Sequence, residues 1–144
     1  MTAPSVDVYV ISDLHMGRGR NPATGRYARL EAFFFDDELL RFCRFLGDDV
    51  DGPHRPFRLV FAGDSFDFLR IEQDPAADRQ DATLLGPGRA AAILGDILAG
   101  HPKFVEAVAT VLLGGDDVVF LPGNHDLELQ WSQVQEVVRA AVAT

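Results

Sequence analysis

The chain has 144 residues, 47% hydrophobic and 24% charged, which fits one globular domain and excludes a disordered or fibrous chain. A formal net charge of −9 argues against general binding to nucleic-acid backbones or acidic membranes. The single cysteine, Cys43, excludes an intrachain disulfide; no apolar run nears the ~20 residues that span a bilayer, and the start lacks a basic leader, so a cytoplasmic location is expected.

Val6–Ile11 is short, β-branched and ended by Ser12, the pattern of a buried strand. Residues 16–29 hold too much Gly, Pro and Arg for a regular element and read as a loop. A helix is expected from about Asp36 to Leu46, with Phe35, Leu39, Phe42, Cys43 and Leu46 as its apolar stripe. Asp36, Asp37 and Glu38 suit the positive end of its dipole, and Gly47 suits its end. Pro53 and Pro56 mark turns before a second strand, Arg58–Phe61, and the polar stretch Glu72–Asp81 reads as a surface excursion or lid.

A second helix, roughly Gly88–Ala99, stops at Gly100, and Pro102 opens a third with Phe104, Ala107, Val108, Val111 and Leu112 inward. Gly114-Gly115 closes it ahead of the strand Val118–Leu121. Ser132-Gln133-Val134-Gln135 forms a capping box for a last helix, with Val134, Val137, Val138 and Ala141 inward and the pattern still running at the end of the sequence. The alternation β-α-β-α-α-β-α predicts an α/β fold with a parallel sheet and right-handed crossovers, whose ligands bind beyond the carboxyl ends of the strands. There is no internal repeat or second domain.

Each strand runs into a cluster of polar residues: Ser12-Asp13-Leu14-His15, Gly63-Asp64-Ser65-Phe66-Asp67 and Gly123-Asn124-His125-Asp126. Asp13 and His15 are two apart, so an extended strand tip would project both to one side, where they can grip one metal. The two oxygens of Asp64 can bridge a pair of metals, and the Asn124 amide oxygen can bind the second. Two such ions about 3.5–4 Å apart clamp the attacking and leaving oxygens of a phosphoryl displacement. His125 is placed to protonate a leaving alkoxide, with Asp126 orienting its ring, a contribution of roughly 10²–10⁴ in rate.

In order and spacing these three clusters resemble the first three signature blocks of the calcineurin-like metallophosphoesterases, over nearly the whole chain from Val6. The resemblance implies a four-layer α/β/β/α sandwich, of which this chain would be the amino-terminal half. It implies a phosphoesterase hydrolysing a phosphate mono- or diester with a hydroxide activated by two divalent ions, whether Mn, Fe, Zn or Mg. Asp13, His15 and Asp64 would hold the first ion, and Asp64 with Asn124 the second. His125 would protonate the leaving group or hold a phosphate oxygen, and Asp67 would stand at most one layer behind the ligands. Family members continue with a lone His and a Gly-His-x-His block that finish both metal sites. Here only His54 and His101 remain; both lie earlier in the chain, and neither is assigned as a ligand. The expectation is a fragment that needs its carboxyl half. The alternative is a non-catalytic metal-binding half-domain that pairs with another chain, or with itself, through an uncovered apolar sheet face. An aspartyl-phosphate mechanism is set aside, since His15 stands where an Asp-x-Asp motif needs its second Asp.

Other residues have two readings. Arg18, Arg20, Arg26 and Arg29 could contact an anionic substrate, since guanidinium groups fork onto phosphates, or could pair with Asp36, Asp37 and Glu38. Asp67 and Asp126 could instead hydrogen-bond a turn backbone, Cys43 reads as core, and Trp131 as a packing anchor. Phe33-Phe34-Phe35 could line a pocket for an apolar substrate tail or serve the core or the sheet interface.

Overall fold

The computed structural model describes residues 5–48, 52–71 and 86–143. The acidic stretch Glu72, Asp74, Asp78 and Asp81 lies outside the described residues. Three parallel strands, β1 (Asp7–Ile11), β2 (Phe57–Ala62) and β3 (Asp117–Leu121), pair in the order β1-β2-β3. Four helices connect or follow them: α1 (Asp36–Gly47), α2 (Pro87–Gly100), α3 (Pro102–Leu113) and α4 (Ser132–Ala143). The fold is therefore α/β, with a parallel sheet as expected from the alternation. No helix among the described residues is long and apolar enough to cross a membrane.

Alternation along β2 assigns the two faces of the sheet. Phe57, Leu59 and Phe61 are buried, whereas Arg58 and Ala62 are exposed. The register places Val118 and Phe120 of β3 on the covered face, and Val8, Val10, Val119 and Leu121 on the open one. Helices α1 and α3 pack together, as do α2 and α4. Where α3 meets the sheet, Phe61 stacks on Phe120 with centroids 4.7 Å apart, and Phe104 meets Phe61 and Phe66 edge-on. Such aromatic pairs add roughly 0.5–1.5 kcal/mol each beyond their area. Because Phe66 lies inside the second polar cluster, this core fixes the platform under the site.

Three expectations need correction. β1 is not a buried strand: Val8 and Val10 are 56% and 63% exposed, because β1 is an edge strand whose outer face nothing covers among the described residues. Of the four layers implied by the resemblance, the described residues form two, helices on sheet, as expected of an amino-terminal half. Phe35 also leaves the stripe of α1, since it is the residue before the helix and has a non-helical backbone; Leu39, Leu40 and Cys43 are the buried positions. Phe33 enters the core while Phe34 and Phe35 stay exposed. The capping box takes another form, with Ser132 as the first helical residue and the Gln135 amide donating to the Leu129 carbonyl. A 3-10 turn, Leu127–Gln130, is an addition that the pattern did not reveal.

A buried ionic trio ties the loop after β1 to the helices. His101, at the α2–α3 junction, sets Nδ1 2.7 Å from Asp36 Oδ2 and Nε2 3.1 Å from Glu31 Oε2. Glu31 also accepts the backbone N–H groups of Gly17, Gly19, Ala32 and Phe33. Burial alone would push the Glu31 carboxyl up, but the His101 hydrogen bond and the amides hold it at about 2. Burial would likewise lower His101, and the two carboxylates outweigh it, raising it to about 9.

The His101 pKa lies above its ordinary 6.5, so its contribution is complete below about 6.5 and lost as pH rises through about 9. Glu31 lies below its ordinary 4.5, so its contribution holds above about 4.5 and is lost as pH falls through about 2. Urea denaturation should show stability falling by about 3 kcal/mol between pH 6.5 and 9. His101→Gln should be weaker at pH 6 and lack that fall.

Candidate metal centre

Asp13, His15 and Asp64 all have left-handed backbones, with φ of 60°, 52° and 54°. Residues with a Cβ rarely adopt this region, at a cost on the order of 1–3 kcal/mol each, and such conformations persist where the surroundings over-determine them. Here the surroundings are the continued pairing of the first two chain segments. Asp13 N–H donates to the Gly63 carbonyl, His15 N–H to Asp64 and Met16 N–H to Ser65, at 2.9–3.1 Å. The extended strand tip expected for Asp13 and His15 is thus replaced by a tight left-handed path that still converges the two side chains. Asp13 Oδ1 lies 3.6 Å from His15 Nε2.

Two glycines make room for this path. A Cβ on Gly123 would collide with the Asp64 backbone and carboxylate, and one on Gly63, at φ 94°, would press on Gly123. The second and third clusters therefore meet at backbone distance, and the His125 N–H donates to Asp64 Oδ1 at 2.9 Å. The other Asp64 oxygen lies 3.9 Å from His15 Nε2. Ligand atoms of His15, Asp64 and His125 all fall within 4.8 Å of one another.

Asp67 stands behind both rings. Its Oδ2 is 3.0 Å from His15 Nδ1 and its Oδ1 is 3.1 Å from His125 Nδ1, and the two rings meet edge-on with centroids 4.8 Å apart. A carboxylate on one imidazole nitrogen fixes the tautomer and aims the other nitrogen outward, the usual support of a metal-binding histidine. Burial acts to raise the Asp67 carboxyl, but hydrogen bonds from His125 and His15 prevail and its pKa is lowered. The Asp67 hydrogen bond correspondingly raises that of His125.

Asp126 does not orient the His125 ring. Its fully buried carboxylate accepts the N–H groups of Gly123, Asp64, Ser65 and Phe66, so it fastens the third cluster to the second. The ring-orienting position belongs to Asp67. Asn124 is exposed at the rim, between Gly123 and His125. His54 lies at the opposite end of the sheet, bonded to Asp116, and His101 belongs to the buried trio. In the first turn of α1, Asp36 bonds His101 and Glu38 bonds Arg41.

The donor set of imidazole nitrogens and carboxylate oxygens, with Asp67 behind the rings, fits a divalent metal ion. Its position past the carboxyl ends of the parallel strands is where open α/β sheets bind ligands. No curated protein and no solved structure matched this chain. The family model of calcineurin-like phosphoesterases matches residues 6–140, which include every residue of the centre. The chain belongs to the calcineurin-like phosphoesterase family.

Proposed function

We propose that this chain carries the metal-binding part of a phosphoesterase acting on a phosphate mono- or diester, with two divalent ions as cofactors and manganese as the first to test. The reading rests chiefly on the convergence of His15, Asp64 and His125 within 4.8 Å over one end of the sheet. Asp13, His15 and Asp64 hold one ion; Asp64 and Asn124 contribute to a second. When bound, the ions lower the pKa of an attacking water and neutralise charge on the phosphoryl group. Asp67 keeps the Nδ1 proton of His15 and leaves Nε2 free to ligate. With Nδ1–H of His125 also on Asp67, the doubly protonated ring would give its Nε2 proton to the departing oxygen and be left neutral. Two ions need more ligands than these residues provide, so turnover depends on further donors from water or protein.

Manganese titration of the chain, followed calorimetrically, tests the reading together with hydrolysis of bis-p-nitrophenyl phosphate. Binding should be present and should weaken by at least tenfold in Asp64→Asn. A wild-type chain that neither binds Mn²⁺ at millimolar concentration nor hydrolyses the ester overturns it. One observation favours a second reading, a non-catalytic half-domain that pairs with another chain. The open sheet face exposes Val8 and Val10, and Leu121 is 48% exposed. Sedimentation equilibrium showing only monomer at tens of micromolar would remove self-pairing.

A further inference from the structure

The loop after His15 is built, not slack. Arg20 and Tyr27 form an antiparallel bridge; Asn21 N–H donates to the Arg26 carbonyl, and the Asn21 side chain accepts the N–H groups of Ala23 and Thr24. Gly25, at φ 69°, completes the turn. The base of the hairpin is fixed twice. Glu31 takes the amides of Gly17 and Gly19, and Gly19 lies against Gly100 so closely that a Cβ on either would collide with backbone. The Arg20 N–H donates to the Gly100 carbonyl at 3.1 Å.

This hairpin and the end of α2 enclose an open concavity of about 540 Å³ whose wall carries Arg18, Arg20, Arg26 and Arg29. Asp96 is the carboxylate on that wall. In a chain of net charge −9, Arg18 and Arg26 have no carboxylate within ion-pair distance among the described residues, and the Arg18 Nε–H is buried without a hydrogen-bond partner. Burying a guanidinium N–H unpaired costs roughly 1–3 kcal/mol or more, and clustered like charges repel. A phosphate group offsets both, since it accepts the forked guanidinium donors. Arg18 is three residues beyond His15, so their Cα atoms are at most roughly 11 Å apart.

We propose that this arginine-walled concavity is a second anion site, which binds a phosphate-bearing part of the ligand away from the metal centre. Its place in catalysis rests on the phosphoesterase reading: it selects substrates with an anionic group besides the one cleaved. Its binding chemistry does not depend on a metal. The test is therefore inorganic pyrophosphate titrated into the full chain in excess EDTA, read by calorimetry and by NMR of arginine Nε–H signals.

Wild type should bind, with the Arg18 and Arg26 signals moving, and affinity should fall at least tenfold in Arg18→Gln/Arg26→Gln. Arg26→Gln alone, at an exposed position, should lower it by at least threefold and so guards against a folding defect in the double variant. Absence of binding by wild type at millimolar pyrophosphate, unchanged affinity in the variants, or shifts confined to His15 and His125 overturns the proposal. Binding in EDTA by a chain that neither binds Mn²⁺ nor hydrolyses the ester would leave the anion site standing and count against the phosphoesterase reading alone.

Discussion

Asp126→Ala should destabilise the chain by about 4 kcal/mol, the typical cost of breaking a buried charged network. Its carboxylate accepts four backbone N–H groups, and Ser65 and Phe66, which supply two of them, are fully buried. No solvent can replace the lost acceptor there, so each stranded amide costs roughly 1–3 kcal/mol. A domain is commonly stable by only about 5–15 kcal/mol, so the loss is a large share of the total. Urea denaturation measures it as a lower midpoint at unchanged slope. Asp126→Asn, which retains one acceptor oxygen, should fall between the two. Metal affinity should fall with stability in both variants, because Asp64 loses its hold on the third cluster. If Asp126 merely oriented His125, the alanine variant would keep its midpoint and lose only rate.

Asp67→Asn should do the reverse: modest change in stability and a loss of roughly 10–100-fold in metal affinity or activity. The asparagine oxygen can still serve the Leu69 and Arg70 amides that Asp67 Oδ1 accepts. Its NH₂ group would then face His15 Nδ1 and donate where the carboxylate accepted. That forces the His15 proton onto Nε2, the nitrogen directed at Asp13 and Asp64, and removes the lone pair needed to ligate. Manganese titration and the imidazole ¹⁵N shifts of His15 read the two effects separately. An unchanged tautomer with unchanged affinity would show that Asp67 has no part in the centre.

Much of this was legible along the chain. Short β-branched runs ended by Gly or Ser, with Pro102 opening a helix and Gly114 closing it, are local signals, and the observed boundaries differ from them by at most one residue. Asp13, His15, Asp64, Asn124 and His125 stood out because each group follows a strand, and parallel strands bring their carboxyl ends together. The division of labour among the carboxylates was not legible. Asp64, Asp67 and Asp126 are equivalent in composition and similar in spacing; which of them meets a ring or a row of amides depends on the backbone path at Gly63, Asp64 and Gly123.

The trio of Glu31, Asp36 and His101 left no local trace either, since its members are up to 70 positions apart. A charged residue in a loop looks solvated until folding removes the water, and only then does its partner become a necessity. By itself the sequence determined the element order, the parallel sheet, the end of it where the three polar clusters gather, and the family. The tertiary structure alone decided that Asp67 and not Asp126 aims the imidazoles, and that Glu31 and Asp36 close on His101. The physical reason is the range of the forces involved. Helix and strand patterns are set by neighbours within a few residues, whereas burial, desolvation and hydrogen-bond satisfaction are set by whatever the fold brings alongside.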